Sequence, residues 1–114
     1  MNHDVNHVTD AEFDEALAAS PLTIVDFTAN WCPPCRMMNP VYKEMAAKYG
    51  NQVQFLKVDG DDHPALMQRY SVQSLPTFAF FQEGKMVNRI IGARPSGQFE
   101  SEIQAFVAQA VVVA

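Results

Sequence analysis

Apolar residues recur along this chain first with a period of about 3.6 and then with runs of β-branched and aromatic positions, and the changes of pattern mark the elements. Phe13 and Leu17, at i and i+4, give one face of a helix over residues 10–19. Thr9 and Glu12 have the spacing of a capping box at its start. Ahead of it, "VNHV" (5–8) reads as a short edge strand. "LTIVDFT" (22–28) is apolar on both faces except at Asp26, as expected of a central strand covered on both sides. Met38, Val41, Tyr42 and Met45 then restore the helical period over residues 34–49, with Gly50 just beyond. Pro40 falls inside that helix and is expected to kink it, because it has no N–H for the carbonyl of residue 36.

"VQFLKV" (53–58) is a second central strand, followed by a turn and a short helix opened by Pro64. "TFAFF" (77–81) and "MVNRII" (86–91) flank the turn "QEGK", a hairpin in which Gly84 supplies the turn geometry. A last helix starts near Ser96 and keeps Phe99, Ile103, Phe106, Val107 and Ala110 on one stripe, with a frayed "VVVA" expected at the end. The order β-α-β-α-β-α-β-β-α predicts an α/β fold, a mixed five-stranded sheet with helices on both faces. Its first β-α-β unit implies a right-handed crossover and a parallel pair.

A chain of 114 residues, 48% hydrophobic and 18% charged, accommodates one domain, expected over residues 1–114. The formal net charge of −5 and the lack of any basic cluster argue against nucleic acid as a partner. No 18-residue apolar stretch and no secretory leader pattern are present, so a cytoplasmic protein with no membrane association is expected.

"WCPPCR" (31–36) holds both cysteines and the one tryptophan. A bridge across so short a gap closes a small loop and gains little from chain entropy, so a redox pair is the better reading than a structural staple. A thiol attacks only as its thiolate, and a free cysteine is mostly protonated at neutral pH. Cys32 falls where a strand-to-helix loop meets the N-terminus of the second helix, whose unpaired N–H groups and dipole favour an anionic sulfur. Pro33 and Pro34 remove N–H groups that have no intrahelical partner and pre-form the turn. Cys32 is thus expected to be the exposed attacking thiol and Cys35, one turn beneath, the resolving one. A zinc reading would add His3 and His7 to the cysteine pair; it is weaker, because the prolines remove N–H groups that usually bond metal-bound thiolates.

Asp26 belongs behind the cysteines, since its strand feeds their loop. Burial would raise its pKa and suit it to accept a proton from Cys35, whereas the plainer reading is a satisfied structural carboxylate. Lys57 on the neighbouring strand either pairs with Asp26 or points to solvent.

Together these residues resemble the thioredoxin family: "DFTANWCPPCR" (26–36), Pro40, "KVD" (57–59), "SLPTF" (74–78) and "GA" (92–93) occur in family order and spacing. The resemblance covers about residues 8–106. It implies the thioredoxin fold, a central sheet with four helices, and a protein-disulfide reductase cycling between dithiol and disulfide. It implies dithiol–disulfide catalysis by Cys32 and Cys35, to which the reading of the residues adds Asp26 and Lys57 as candidate catalytic residues. It also implies a cis bond before Pro76 and an apolar substrate groove formed by Trp31, Pro33, Pro34, Leu75, Pro76, Gly92 and Ala93. Without the resemblance, Trp31 could be core and Gly92 a strand end or bulge.

No cofactor motif is present, so the resemblance implies electrons from NADPH through a partner thioredoxin reductase, passed to protein disulfides by a monomer. Two positions depart from the family: Thr28 stands where tryptophan is usual, and Pro33 where the common reductase has glycine. A thiol oxidant or isomerase of the same fold, and a zinc-binding or interaction module, are the alternatives.

Overall fold

The computed structural model describes residues 3–113, with side chains through Ala110. Its elements follow the predicted order: β1 (Val5–His7), α1 (Phe13–Ala18), β2 (Leu22–Thr28), α2 (Pro33–Tyr49), β3 (Gln54–Asp59), α3 (Pro64–Arg69), β4 (Thr77–Gln82), β5 (Lys85–Ile91) and α4 (Ser96–Val113). The five strands form one sheet in the order β1-β3-β2-β4-β5. The β1–β3 and β2–β3 pairs are parallel, and the β2–β4 and β4–β5 pairs antiparallel. The sheet is therefore mixed.

β2 sits at its centre, and all seven of its residues are buried. Alternate residues of the strands face two separate apolar layers. On one face Ile24, Phe55, Phe78 and Phe80 pack with Met38, Tyr42 and Met45 of α2 and with Phe99, Ile103 and Phe106 of α4. On the other, Val25, Phe27, Leu56, Val58 and Phe81 meet Phe13 and Leu17 of α1 and Leu66 of α3. Asp26 follows Ile24 by two residues on β2, so it shares the α2 face and is the carboxylate among those apolar side chains.

Some boundaries differ from expectation for local reasons. α1 starts at Phe13, not residue 10, because the Thr9–Glu12 box closes in one direction only. The Thr9 N–H and hydroxyl both donate to Glu12 Oε1, at 3.0 and 3.1 Å, and residues 10–12 stay in a turn. α2 starts at Pro33, one residue early, since the Cys32 sulfur itself caps it. Pro40 is accommodated within one continuous helix. β3 is shifted by one residue, and α4 continues as helix to Val113, into the segment expected to fray. In the β4–β5 turn Glu83 and Gly84 have φ of 52° and 80°. Two successive positive values suit the twist of a tight hairpin, and Gly84 adopts its value without a Cβ clash.

Candidate active site at the Cys32–Cys35 pair

β2 ends at Thr28, three residues of loop follow, and Cys32 becomes the N-cap of α2. Its φ and ψ of −89° and 113° are extended, as an N-cap requires. With prolines at the next two positions, Cys35 is the first residue of the helix to offer an N–H. It donates to the Cys32 sulfur at 3.3 Å. The cap usually made by a serine or aspartate oxygen is made here by sulfur, so the donor that satisfies the helix end also favours negative charge on Cys32. The Arg36 N–H then bonds the Cys32 carbonyl at 3.1 Å and starts the helical ladder.

The two cysteines are joined in a disulfide, with Cα atoms 5.2 Å apart. Cys35 is 1% exposed, and Cys32, expected to be open, is only 3% exposed. The cover comes from the packing of Ala29 and Leu75 against the pair. The Leu75 carbonyl oxygen lies 3.7 Å from the Cys32 sulfur, within reach of an S–H donor once the disulfide is reduced.

The peptide bond between Leu75 and Pro76 is cis. The Gly92 N–H bonds the Pro76 carbonyl at 2.8 Å, which ties the start of β4 to the end of β5. Gly92 has φ of 90°, the left-handed region where a side chain is strained. Leu75 thus packs on the cysteines, Pro76 follows it with its carbonyl bonded to Gly92, and Ala93 is exposed and next in the chain. Pro33 is exposed and Pro34 half-buried. Trp31 is 64% exposed, which excludes the core reading, and its indole N–H donates to Asp61 Oδ2 at 2.6 Å.

Asp26 is 1% exposed, and both its carboxylate oxygens lack a hydrogen-bond partner among the described residues. Burial pushes its pKa up to about 7, against a smaller opposing pull from the charge of Lys57. No protein group among the described residues satisfies the Asp26 carboxyl, as the plainer structural reading would require. Lys57 is its partner in the β2–β3 register, yet the two do not pair. The Lys57 ammonium instead donates to Asn39 Oδ1 of α2 at 2.9 Å. Thr28 is 8% exposed and borders a polar cavity of about 260 Å³ with Asn30, Asn39, Lys57 and Asp59.

Among the described residues no group of three or more His, Cys, Asp or Glu side chains converges as a metal site. His3 and His7 are thus not assembled with the cysteines, and the zinc reading has no ligand set. No helix of the described residues is long and apolar enough to cross a membrane. Sequence reading missed Asn39, Asp61 and Tyr42. The hydroxyl of Tyr42 lies 2.9 and 2.7 Å from the Ile24 and Leu56 carbonyl oxygens and shares its proton between them. Tyr42 was assigned to a helical stripe, and nothing in that pattern marks a buried hydroxyl with main-chain acceptors.

A cysteine disulfide at a helix N-terminus, in the loop that follows the central strand, is the constellation of a thiol–disulfide oxidoreductase. The thioredoxin family model matches residues 4–105, and the chain belongs to that family. It is 41% identical over 98 residues to a thioredoxin-like protein of Synechocystis, covering 85% of this chain and 93% of that one. It is 36% identical over 104 residues to the thioredoxin of Porphyra purpurea, covering 90% and 97%. Among solved structures, a Halobacterium salinarum thioredoxin mutant superposes with a TM-score of 0.85 at 26% identity over 92% of each chain. The Plasmodium falciparum thioredoxin does so with 0.83 at 34% identity, over 89% of this chain and 98% of that one.

Proposed function

We propose that the protein reduces protein disulfides in the cytoplasm, as a monomer of one domain, with Cys32 as nucleophile and Cys35 as resolving thiol. The Cys32 thiolate attacks one sulfur of the substrate disulfide; a mixed disulfide forms and the other substrate sulfur leaves as a thiolate. Cys35 gives its proton to Asp26 and attacks Cys32, which releases the second substrate thiolate and leaves the Cys32–Cys35 disulfide. Two electrons have then passed from the protein to its substrate. NADPH, through a thioredoxin reductase, returns them, and Lys57 influences the charge on Asp26 from the adjacent strand.

The observation that carries the assignment of roles is the Cys35 N–H directed at the Cys32 sulfur, which makes the two sulfurs unequal. Trp31, Pro33, Pro34, Leu75, Pro76, Gly92 and Ala93 form the substrate surface in this proposal. Its support is the exposure of Trp31 and the packing of Leu75 against the pair. Cys35→Ser should retain substrates as covalent mixed disulfides through Cys32, visible as adducts that a reductant dissolves. A lysate that yields no such adducts with this variant, but yields them with Cys32→Ser, would reverse the two roles.

A further inference from the structure

Asp26 and Lys57 are adjacent in the β2–β3 register and extend to the same sheet face, under α2. A lysine stem of four carbons lets the ammonium lean inward to a carboxylate or outward to solvent, and the acceptors at each end decide between them. Here the inner acceptor is left without a partner among the described residues and the outer one is taken: the Asp26 carboxyl oxygens accept no hydrogen bond from them, and Lys57 Nζ sits 2.9 Å from Asn39 Oδ1. Asn39 is exposed on α2, four residues after Cys35 and so on the same stripe of the helix. With Lys57 it borders the polar cavity that also reaches Thr28 and Asp59.

We propose that Asn39 is a positioning residue that holds the Lys57 ammonium at the outer end of this cavity and so keeps the buried Asp26 carboxyl without a cationic partner. The other groups around Asp26 cannot substitute for that control. From α2 comes the Tyr42 hydroxyl, which burial and the charge of Asp26 keep protonated. The β4 register partner is Phe78, and Phe99 of α4 packs on that ring; neither carries charge. Cys35 titrates only in the dithiol form. Lys57 is therefore the charge whose placement can be moved, and Asn39 is what it is bonded to.

This inference rests on the reading of Asp26 as the base of the resolving step, and it is tested by a readout independent of that step. The Asp26 carboxyl is titrated by ¹³C NMR in the disulfide form, in the parent protein, Asn39→Ala, Lys57→Met and the double variant. Asn39 is exposed and alanine favours helix, so the fold is retained. With its outer acceptor removed, Lys57 leans inward and the Asn39→Ala midpoint falls by about one unit, within the range for an opposite charge brought close. On the Lys57→Met background the same substitution leaves the midpoint unmoved. An unmoved or raised midpoint in Asn39→Ala alone, or an equal fall on both backgrounds, overturns the inference. If Asp26 were not the base, the midpoints would still move as stated and only the pH profile of resolution would be unaffected.

Discussion

Asp26 and Lys57 stand side by side on parallel strands without forming an ion pair, the ammonium being bonded to Asn39 and the carboxyl to none of the described residues. A buried acid left in that condition keeps its proton to unusually high pH, because the desolvated anion has no compensating partner. The fold carries that cost on the strand that leads into the cysteine loop.

Stability should therefore depend on pH through Asp26. Its pKa is raised from 3.8 to about 7 on folding, so the folded state binds the proton more tightly than the unfolded state. The resulting stabilisation is present in full below about pH 4 and is lost as pH rises through about 7, because stability falls wherever the folded state holds more protons. The loss is roughly 4 kcal/mol at about 1.4 per unit. Asp26→Asn removes this dependence, and urea unfolding at pH 8 should find it more stable than the parent by a few kcal/mol. Equal stability at that pH would mean the carboxyl ionises without penalty.

The same group should set the pH profile of one chemical step. If Asp26 takes the Cys35 proton, resolution of a mixed disulfide quickens as the pH rises through about 7, where the carboxylate forms. Asp26→Asn should slow resolution by about 10²-fold, the lower end of general-base effects, and slow the first attack much less. Stopped-flow measurement of both steps decides; equal slowing of the two removes the role of base.

The hydroxyl of Tyr42 ties α2 to the sheet beside Asp26, between the Ile24 and Leu56 carbonyls. Tyr42→Phe keeps the ring contacts with Phe55, Phe78 and Phe99 and loses the buried hydrogen bond. A destabilisation of about 1 kcal/mol is expected in urea unfolding, with the disulfide intact. No loss would mean those carbonyls are satisfied without it.

The reduction potential of the Cys32–Cys35 couple separates a reductase from an oxidant of the same fold. Equilibration with thiol–disulfide buffers, read by the fluorescence of the exposed Trp31, should give a value near about −270 mV. A value between about −180 and −120 mV would reassign the protein to oxidation or isomerisation.

The sequence by itself determined the order of elements, since the helical and strand periods change where the chain turns, and it determined the cysteine pair, whose spacing and prolines are local. Asp26 was legible as a charge inside an apolar strand, and Cys32 as a cap, because each depends on neighbours within a few residues. Even locally it misjudged the start of α1, where two donors of Thr9 compete for one Glu12 oxygen. Contacts between distant segments were decided by tertiary structure alone: the Leu75 carbonyl against Cys32, 43 residues away, and Asp61 accepting from the Trp31 indole N–H, 30 residues away. So was the direction of Lys57. Register put it beside Asp26, but a flexible side chain follows the acceptor within its reach, and Asn39 becomes that acceptor only when α2 packs on the sheet.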